Sequence, residues 1–465
     1  MSADSASCDG RESGSVLPSG LLLTDLYQLN MVQAYVDRGM TEPAVFELFV
    51  RRLPETRGFL VAAGLEQALD FLETARFTEA ELHWLAKSGR FNDDMLAYLA
   101  ALRFAGDVDA MPEGTVFFPN EPILRVIAPL PVAQLVETRL INLVHFQTVI
   151  ASKAARMVLA APGKVLVDFG LRRAHGAEAG MLAARASYLA GFAGSATTPA
   201  LDRFGVPIYG TMAHSFIQAF DSEEAAFEAF ARSRPDNLVL LLDTYDTEAA
   251  AHKVAALAPR LRREGITVRG VRLDSGNLAA HARRVRRILD QAGLREMTIF
   301  ASGGLDETIL KRYTATEAPI DGYGIGTSLT TSADAPALDC AYKLQEYAGR
   351  PKRKRSEGKA TWPGRKQVYR AYGADGTMSE DLLTLDDQGG EGPALIQPVM
   401  RGGRRMGAPP ALAEARDRAA KEIGRLPGHL RRLETKPRYT VIVSRELRAL
   451  ADAVDRALTA VSGGS

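Results

Sequence analysis

A chain of 465 residues is longer than one hydrophobic core usually holds, so a single small domain is excluded and two or three packed units are expected. The 57 basic and 56 acidic residues nearly cancel, and with 46% hydrophobic and 24% charged positions the composition is that of an ordinary globular protein, with no global charge to select a polyanionic partner. The only cysteines, Cys8 and Cys340, support neither a disulfide framework nor a cysteine-ligated zinc site, and a cytoplasmic location is expected.

Residues 1–18 are small, polar and Gly/Ser-rich, lack the basic start and apolar core of a signal peptide, and are expected to form a disordered tail. No uncharged apolar run approaches the ~20 residues needed to span a bilayer, so no membrane segment is expected. LLLTDLYQLNMVQAYVDRGM (21–40) predicts a helix that Thr24 or Asp25 can cap, and AVFELFVRRLP (44–54) predicts a strand. Stretches 58–75, 77–89 and 91–102 place apolar residues three and four apart, the spacing of helices that pack one face inward. PEGTVFFPNEPILRVIAPL (112–130) predicts a small β unit, and the helical stretch 131–161 follows. Residues 19–150 are therefore expected to form a mixed α+β N-terminal domain.

From about 164 to 332, within a unit drawn at 151–340, helix-like stretches alternate with six apolar runs: KVLVDFGLRR, GVPIYGTMAHS, NLVLLLDTYDT, TVRGVRLDSGN, MTIFASGGLDE and IDGYGIGTSL. Each run ends in Gly, Asp, Ser or Thr. Parallel strands covered on both faces are continuously apolar, and their C-terminal ends are where α/β folds place ligand groups. The pattern predicts a barrel-like sheet with one site at its mouth, with an open doubly wound sheet as the alternative. Residues 341–465 hold a basic run (349–366), a Gly/Pro-rich stretch and a final helix.

The strand ends collect the residues suited to chemistry. GTMAHSF brings Thr211 and His214 to one exit, and His214 is a candidate base, nucleophile or ligand. In DFGLRR, Phe169 offers an aromatic face and Arg172 and Arg173 two guanidinium groups, a combination suited to a flat anionic ring; arginines paired to local carboxylates at a strand end are the alternative. Arg272 and Asp274 in GVRLDSGN suit ribose hydroxyls, a metal-bound diphosphate or a structural ion pair. Asp243 and Asp246 in LLLDTYDT are candidate magnesium ligands or helix caps. FASGGLDE, with Ser302, Gly303 and Gly304, and GYGIGTS, with Gly324, Gly326 and Thr327, are glycine turns of the kind that let backbone N–H groups approach phosphate. Their place on the last two strands matches the usual phosphate site of such barrels. No GxxxxGK[ST] motif occurs, so any use of ATP bypasses a P-loop. The basic run has one aromatic, Trp362, and lacks the interleaved aromatics of a nucleic-acid platform, so no nucleic-acid partner is expected.

TDLYQLNM, FELFVRRLP, INLVHFQTVIASKAAR, DFGLRRAHG, GTMAHSFIQAF, LLDTYDT, VRLDSGNL and YGIGTSLTTS, followed by YKLQEYAGRP and PGRKQVYR, resemble nicotinate phosphoribosyltransferases in the same order, over about residues 20–370 and more weakly beyond. The resemblance implies an irregular α/β barrel with an N-terminal domain completed by C-terminal segments, and a homodimer with active sites near the subunit boundary. It implies that nicotinate reacts with phosphoribosyl pyrophosphate, coupled to ATP hydrolysis through a phosphohistidine at His214, with Mg2+ bound through the diphosphate. Thr211 and Arg272 resemble nicotinate contacts, Thr327 a contact to the phosphoribosyl donor, and Tyr27 a ring cover from the other subunit opposite Phe169. Related nicotinamide enzymes suggest Arg172, Asp243, Asp274, Ser302 and Gly303 as further ligands. Ala196 stands where those enzymes carry an amide-binding aspartate, which points to the acid as substrate.

Overall fold

In this computed structural model residues 20–433 and 438–462 are described, and the tail expected over 1–18 lies outside them. Six parallel strands position the candidate residues, in the spatial order Gly194–Ser195, Val165–Asp168, Gly322–Ile325, Thr298–Ser302, Val268–Leu273 and Leu238–Leu241. The registers set Asp168 beside Ile325 and Ser195, Ser302 beside Gly324, and Ala301 beside Leu273, so the polar strand ends share one edge. The two outermost strands are not hydrogen-bonded to each other, and the hydrogen-bonded sheet is an open parallel half-barrel.

One expected strand is nearly lost. Within 205–215 only Ile208 makes a ladder contact, an isolated parallel bridge to Ser195. Ser195 N–H donates to the Pro207 carbonyl (3.0 Å) and Tyr209 N–H to the Ser195 carbonyl (2.9 Å), and Pro207, which has no N–H, cannot extend the ladder. The strand Gly194–Ser195 takes the place in the sheet that no apolar run announced.

The covering helices follow from local chemistry. In Thr247–Arg263 the buried residues Ala250, Val254, Leu257, Ala258 and Leu261 recur at helical spacing, and Asp246 Oδ1 accepts the Ala249 N–H at 2.7 Å. Asn277 caps Leu278–Gln291 and Asp306 caps Glu307–Ala315 in the same way. Each cap follows its strand within a few residues, satisfying an orphan N–H while turning the chain back over the sheet. The first helix, Leu26–Asp37, starts after Asp25 as expected, but no side chain caps it; the Asp25 carboxylate accepts the Thr138 hydroxyl instead.

A second, seven-stranded sheet runs Arg350–Pro351, Cys340–Tyr347, Pro43–Val50, Pro122–Pro129, Asp107–Ala110, Gln397–Arg401 and Arg404–Arg405, so strands from both ends of the chain interleave. The helix Glu137–Ala160 passes through the boundary drawn at 150/151 and packs against both the helix Ala177–Leu189 and the strand Leu60–Val61. Among the described residues no helix is long and apolar enough to cross a membrane.

Candidate functional site

The strand-end residues form three small hydrogen-bonded groups: Arg272 with Thr211, Asp243 with Asp274 and Ser302, and His214 with Thr244. Arg272, at the end of Val268–Leu273, donates from Nη1 to Thr211 Oγ1 at 2.6 Å, which fixes the guanidinium over the exit of the 205–211 segment. Burial pushes this guanidinium down from its usual value; Asp274 and Asp243 oppose that and Arg172 adds to it. An arginine so far from its titration range stays cationic. Its Nε is buried with no hydrogen-bond partner.

Asp243 Oδ2 accepts the Asp274 N–H (3.0 Å) and the Ser275 hydroxyl (2.5 Å), while Asp243 Oδ1 is buried and unpartnered. Asp274 Oδ1 in turn accepts the buried Ser302 hydroxyl. His214, first residue of the short helix His214–Gln218, sets Nδ1 3.1 Å from Thr244 Oγ1 and Nε2 3.9 Å from Asp274 Oδ2. The partly exposed imidazole thus has a strand-end hydroxyl within hydrogen-bond distance on one side and the Asp274 carboxylate facing it on the other. The two readings of LLLDTYDT divide between its aspartates: Asp246 caps a helix and Asp243 faces the site.

Two glycines are set by contact. Gly303 has φ +97°, and a Cβ there would lie 2.0 Å from the Asp274 carbonyl, so only glycine lets this turn close onto the neighbouring strand end. At Gly324 a Cβ would meet the Phe169 ring at 2.4 Å, which shows how closely that ring lies on the strand backbone. Phe169 also packs at a tilt against Phe300, centroids 6.0 Å apart. Both line a cavity of about 510 Å³ with Tyr209, Thr211 and Val239, which runs back to the strand starts at Val165, Arg269, Thr298 and Gly322. Gly304 (φ +63°), Gly326 and the exposed Thr327 complete the two turns, and Thr327 opens the short helix Thr327–Thr330.

Thus Phe169, Thr211, His214, Asp243, Arg272, Asp274, Ser302, Gly303, Gly304, Gly324, Gly326 and Thr327 all stand on one edge of the sheet, with Arg172 in the turn Leu171–Arg173 beside Phe169. Tyr27 does not join them within the chain. It lies about half exposed on the first helix, its hydroxyl accepting from Gln28 at 2.9 Å.

Sequence reasoning missed Asp168, Ser195 and Thr244. Asp168, 1% exposed, accepts the Gly170 N–H on Oδ1 and the Ser195 hydroxyl on Oδ2, both at 2.7 Å, and burial raises its pKa. It thereby ties the Phe169 turn to the segment carrying the exposed Ala196. A carboxylate ending the apolar run VLVD was its one signal. Ser195, in a two-residue strand, had none.

Part of the basic run is used within the chain. Arg353 pairs with Asp455 and lies over Trp362, Arg448 faces the same ring, and buried Lys366 pairs with Glu47. Trp362 is therefore not a free stacking platform.

Three family models match in chain order: the nicotinate phosphoribosyltransferase N-terminal domain over residues 22–145, the nicotinate phosphoribosyltransferase family over 165–365, and the nicotinate phosphoribosyltransferase C-terminal domain over 391–451. The chain is 51% identical over 427 residues to nicotinate phosphoribosyltransferase pncB2 of Mycobacterium tuberculosis, covering 91% of this chain and 92% of that one. It is 42% identical over 375 residues to nicotinate phosphoribosyltransferase of Bacillus subtilis, covering 79% and 76%. The crystal structure of human nicotinic acid phosphoribosyltransferase superposes with a TM-score of 0.83 at 31% identity, covering 93% of this chain and all of that one.

Proposed function

The chain belongs to the nicotinate phosphoribosyltransferase family, and from that premise we propose that it joins nicotinate to phosphoribosyl pyrophosphate in NAD biosynthesis, releasing nicotinate mononucleotide and pyrophosphate. The observation that carries the reading is the set of strand-end contacts: Arg272 held by Thr211, which lines one cavity with Phe169, and Asp243 and Asp274 joined to Ser302, which leads into the Gly303–Gly304 turn. Phe169 stacks the pyridine and Arg272 takes its carboxylate. The ring nitrogen attacks the ribose anomeric carbon, the carbon–oxygen bond to pyrophosphate breaks, and the bonding pair leaves with pyrophosphate. The protein fixes both partners and offers N–H donors to the charge growing on the leaving group. In this reading Asp274 and Ser302 bind ribose hydroxyls, and Gly303, Gly304, Gly324, Gly326 and Thr327 bind phosphates.

The buried, unpartnered Asp243 Oδ1 is a hard oxygen donor of the kind magnesium takes. Among the described residues no three His, Cys, Asp or Glu side chains form a cage. Asp243 and Asp274 would therefore hold the ion together with diphosphate oxygens, where it would neutralise leaving-group charge.

His214 takes the terminal phosphoryl group of ATP, releasing ADP, and its phosphohistidine is later hydrolysed to phosphate. Its half-exposed ring beside Asp274 supports a role in donor affinity rather than in the displacement. The half-barrel acts as an irregular barrel whose remaining wall is the 205–211 segment. The exposed, adjacent Leu26 and Tyr27 support a homodimer in which Tyr27 covers the partner's pyridine site. Ala196, exposed at a strand end, brings no carboxylate against nicotinate and so favours the acid over the amide. The cysteine usage fits a cytoplasmic enzyme.

The test incubates purified protein with nicotinate or nicotinamide, the donor and magnesium, with and without ATP, and measures mononucleotide. Nicotinate turnover stimulated by ATP is expected. Equal turnover of nicotinamide, or none of nicotinate, refutes the substrate assignment.

A further inference from the structure

A group of buried charges lies behind the two glycine turns and is used by none of the steps above. Lys153 and Arg156, on the long helix Glu137–Ala160, and Arg57, in the loop after the first strand of the second sheet, are each at most 6% exposed. Lys153 Nζ bridges Glu307 (2.6 Å) and Asp334 (2.8 Å). Arg156 Nε reaches the other Glu307 oxygen at 3.2 Å. Arg57 holds Asp334 at 3.1 Å, donates to Ser332 Oγ at 2.5 Å and caps the Val149 carbonyl at 3.0 Å.

The two acids belong to different turns. Glu307 opens the helix Glu307–Ala315, three residues after Gly304. Ser332 and Asp334 follow the short helix that Thr327 opens, and that stretch is continuous: Thr330 N–H donates to the Gly326 carbonyl, Ser332 N–H to Leu329 and Ala333 N–H to Ser328. Both turns are thus bolted to one ammonium group. Ser332 sits at φ +45°, a conformation a non-glycine residue rarely takes, in a turn closed by Ala335 N–H to its carbonyl and by its hydroxyl to the Ala335 carbonyl, with Arg57 donating to the same hydroxyl. Arg57 and Lys153 together hold the Asp334 carboxyl far below the usual carboxylate range against its own desolvation.

We infer that Lys153, with Arg57, is a positioning residue for the phosphoribosyl donor: it sets the spacing between the Gly303–Gly304 turn and the Gly326–Thr327 turn. The inference rests on the proposed reading of those turns as phosphate sites. Three cations face two carboxylates in the group, so it also leaves positive charge behind the turns, the sign that suits a pyrophosphate. No atom of the group needs to touch substrate.

The test compares Lys153→Met, Lys153→Arg and Ser332→Ala with the parent, reading KM for phosphoribosyl pyrophosphate and for nicotinate separately, with thermal midpoints alongside. Lys153→Met is expected to raise the donor KM on the order of tenfold or more, the size of effect that a small misplacement of bound groups produces. The nicotinate KM should stay within about twofold, since Phe169 and Arg272 are held by other contacts, and Lys153→Arg should recover part of the loss. Ser332→Ala removes the hydroxyl that Arg57 holds without changing any charge. It carries the same expectation at a few-fold and decides the matter if Lys153→Met does not fold. Unchanged donor KM in a folded variant, or donor and nicotinate KM rising together, overturns the inference. Gly303→Ala separates the two levels of argument: if it leaves donor KM unaltered, the phosphate reading of the turn fails, whereas a large effect there with none at Lys153 defeats this inference alone.

Discussion

Arg272→Lys keeps the charge and removes the fork. In the parent one guanidinium nitrogen is committed to Thr211 at 2.6 Å, which leaves Nη2 and the unpartnered Nε free for a carboxylate. An ammonium on a flexible stem cannot hold Thr211 and both carboxylate oxygens at once. At least one charge-assisted hydrogen bond is lost, a cost of about 1.5–3 kcal/mol, which corresponds to roughly a 10- to 150-fold rise in nicotinate KM. Donor KM should change little. The assay measures initial rates of mononucleotide formation with nicotinate varied at saturating phosphoribosyl pyrophosphate, then with the roles exchanged. Thr211→Val serves as a control, since it frees the guanidinium and should raise nicotinate KM by a smaller factor. A nicotinate KM within about twofold of the parent in Arg272→Lys, or an equal rise for both substrates, refutes the assignment of Arg272 to the ring carboxylate.

His214→Ala should lose ATP-stimulated turnover and histidine phosphorylation while keeping a slow ATP-independent reaction; phosphate incorporation from labelled ATP checks this, and unchanged stimulation removes His214 from the mechanism. Gly324→Ala drives a methyl into the Phe169 ring, so nicotinate KM should rise well above donor KM; a parent-like KM would show that the ring is not the stacking face. Glu121 is fully buried, and its carboxyl is pushed well up by desolvation and then by Asp381, with Arg370 pulling the other way. A carboxyl whose folded pKa is raised is favoured when protonated, so its contribution to stability falls as pH rises above the unfolded value of about 4.3. Glu121→Gln should therefore melt above the parent at pH 8, with the gap closing toward pH 5. Parallel melting profiles would show that Glu121 does not carry that dependence.

Much of the site was legible because parallel strands advertise themselves. Runs such as NLVLLL and MTIFA must be apolar on both faces, so the first polar residues after them, Asp243 and Ser302, mark one end of the sheet. Glycine turns were legible for a similar reason: only a residue without a Cβ lets the Gly303 turn lie on the Asp274 carbonyl. Ser195 was not legible. Its two-residue strand is held by pairing to Val167–Asp168 and by the Pro207 and Tyr209 backbone, contacts that leave no hydrophobic period. The Lys153 group was hidden for another reason, since five charges drawn from Arg57 to Asp334 pair only when distant segments pack together.

By itself the order of residues determined the alternation of strands and helices, the aspartates and asparagines that cap those helices, and the polar set at the strand ends, because these depend on side-chain period and on neighbours a few positions away. Tertiary structure alone decided which of two nearby aspartates faces the site, that the half-barrel is left open beside Pro207, and which cation each buried carboxylate meets. Such choices turn on hydrogen bonds and charge pairs between residues tens to hundreds of positions apart. Their desolvation is repaid only once the packed chain brings the partners within about 3 Å of each other.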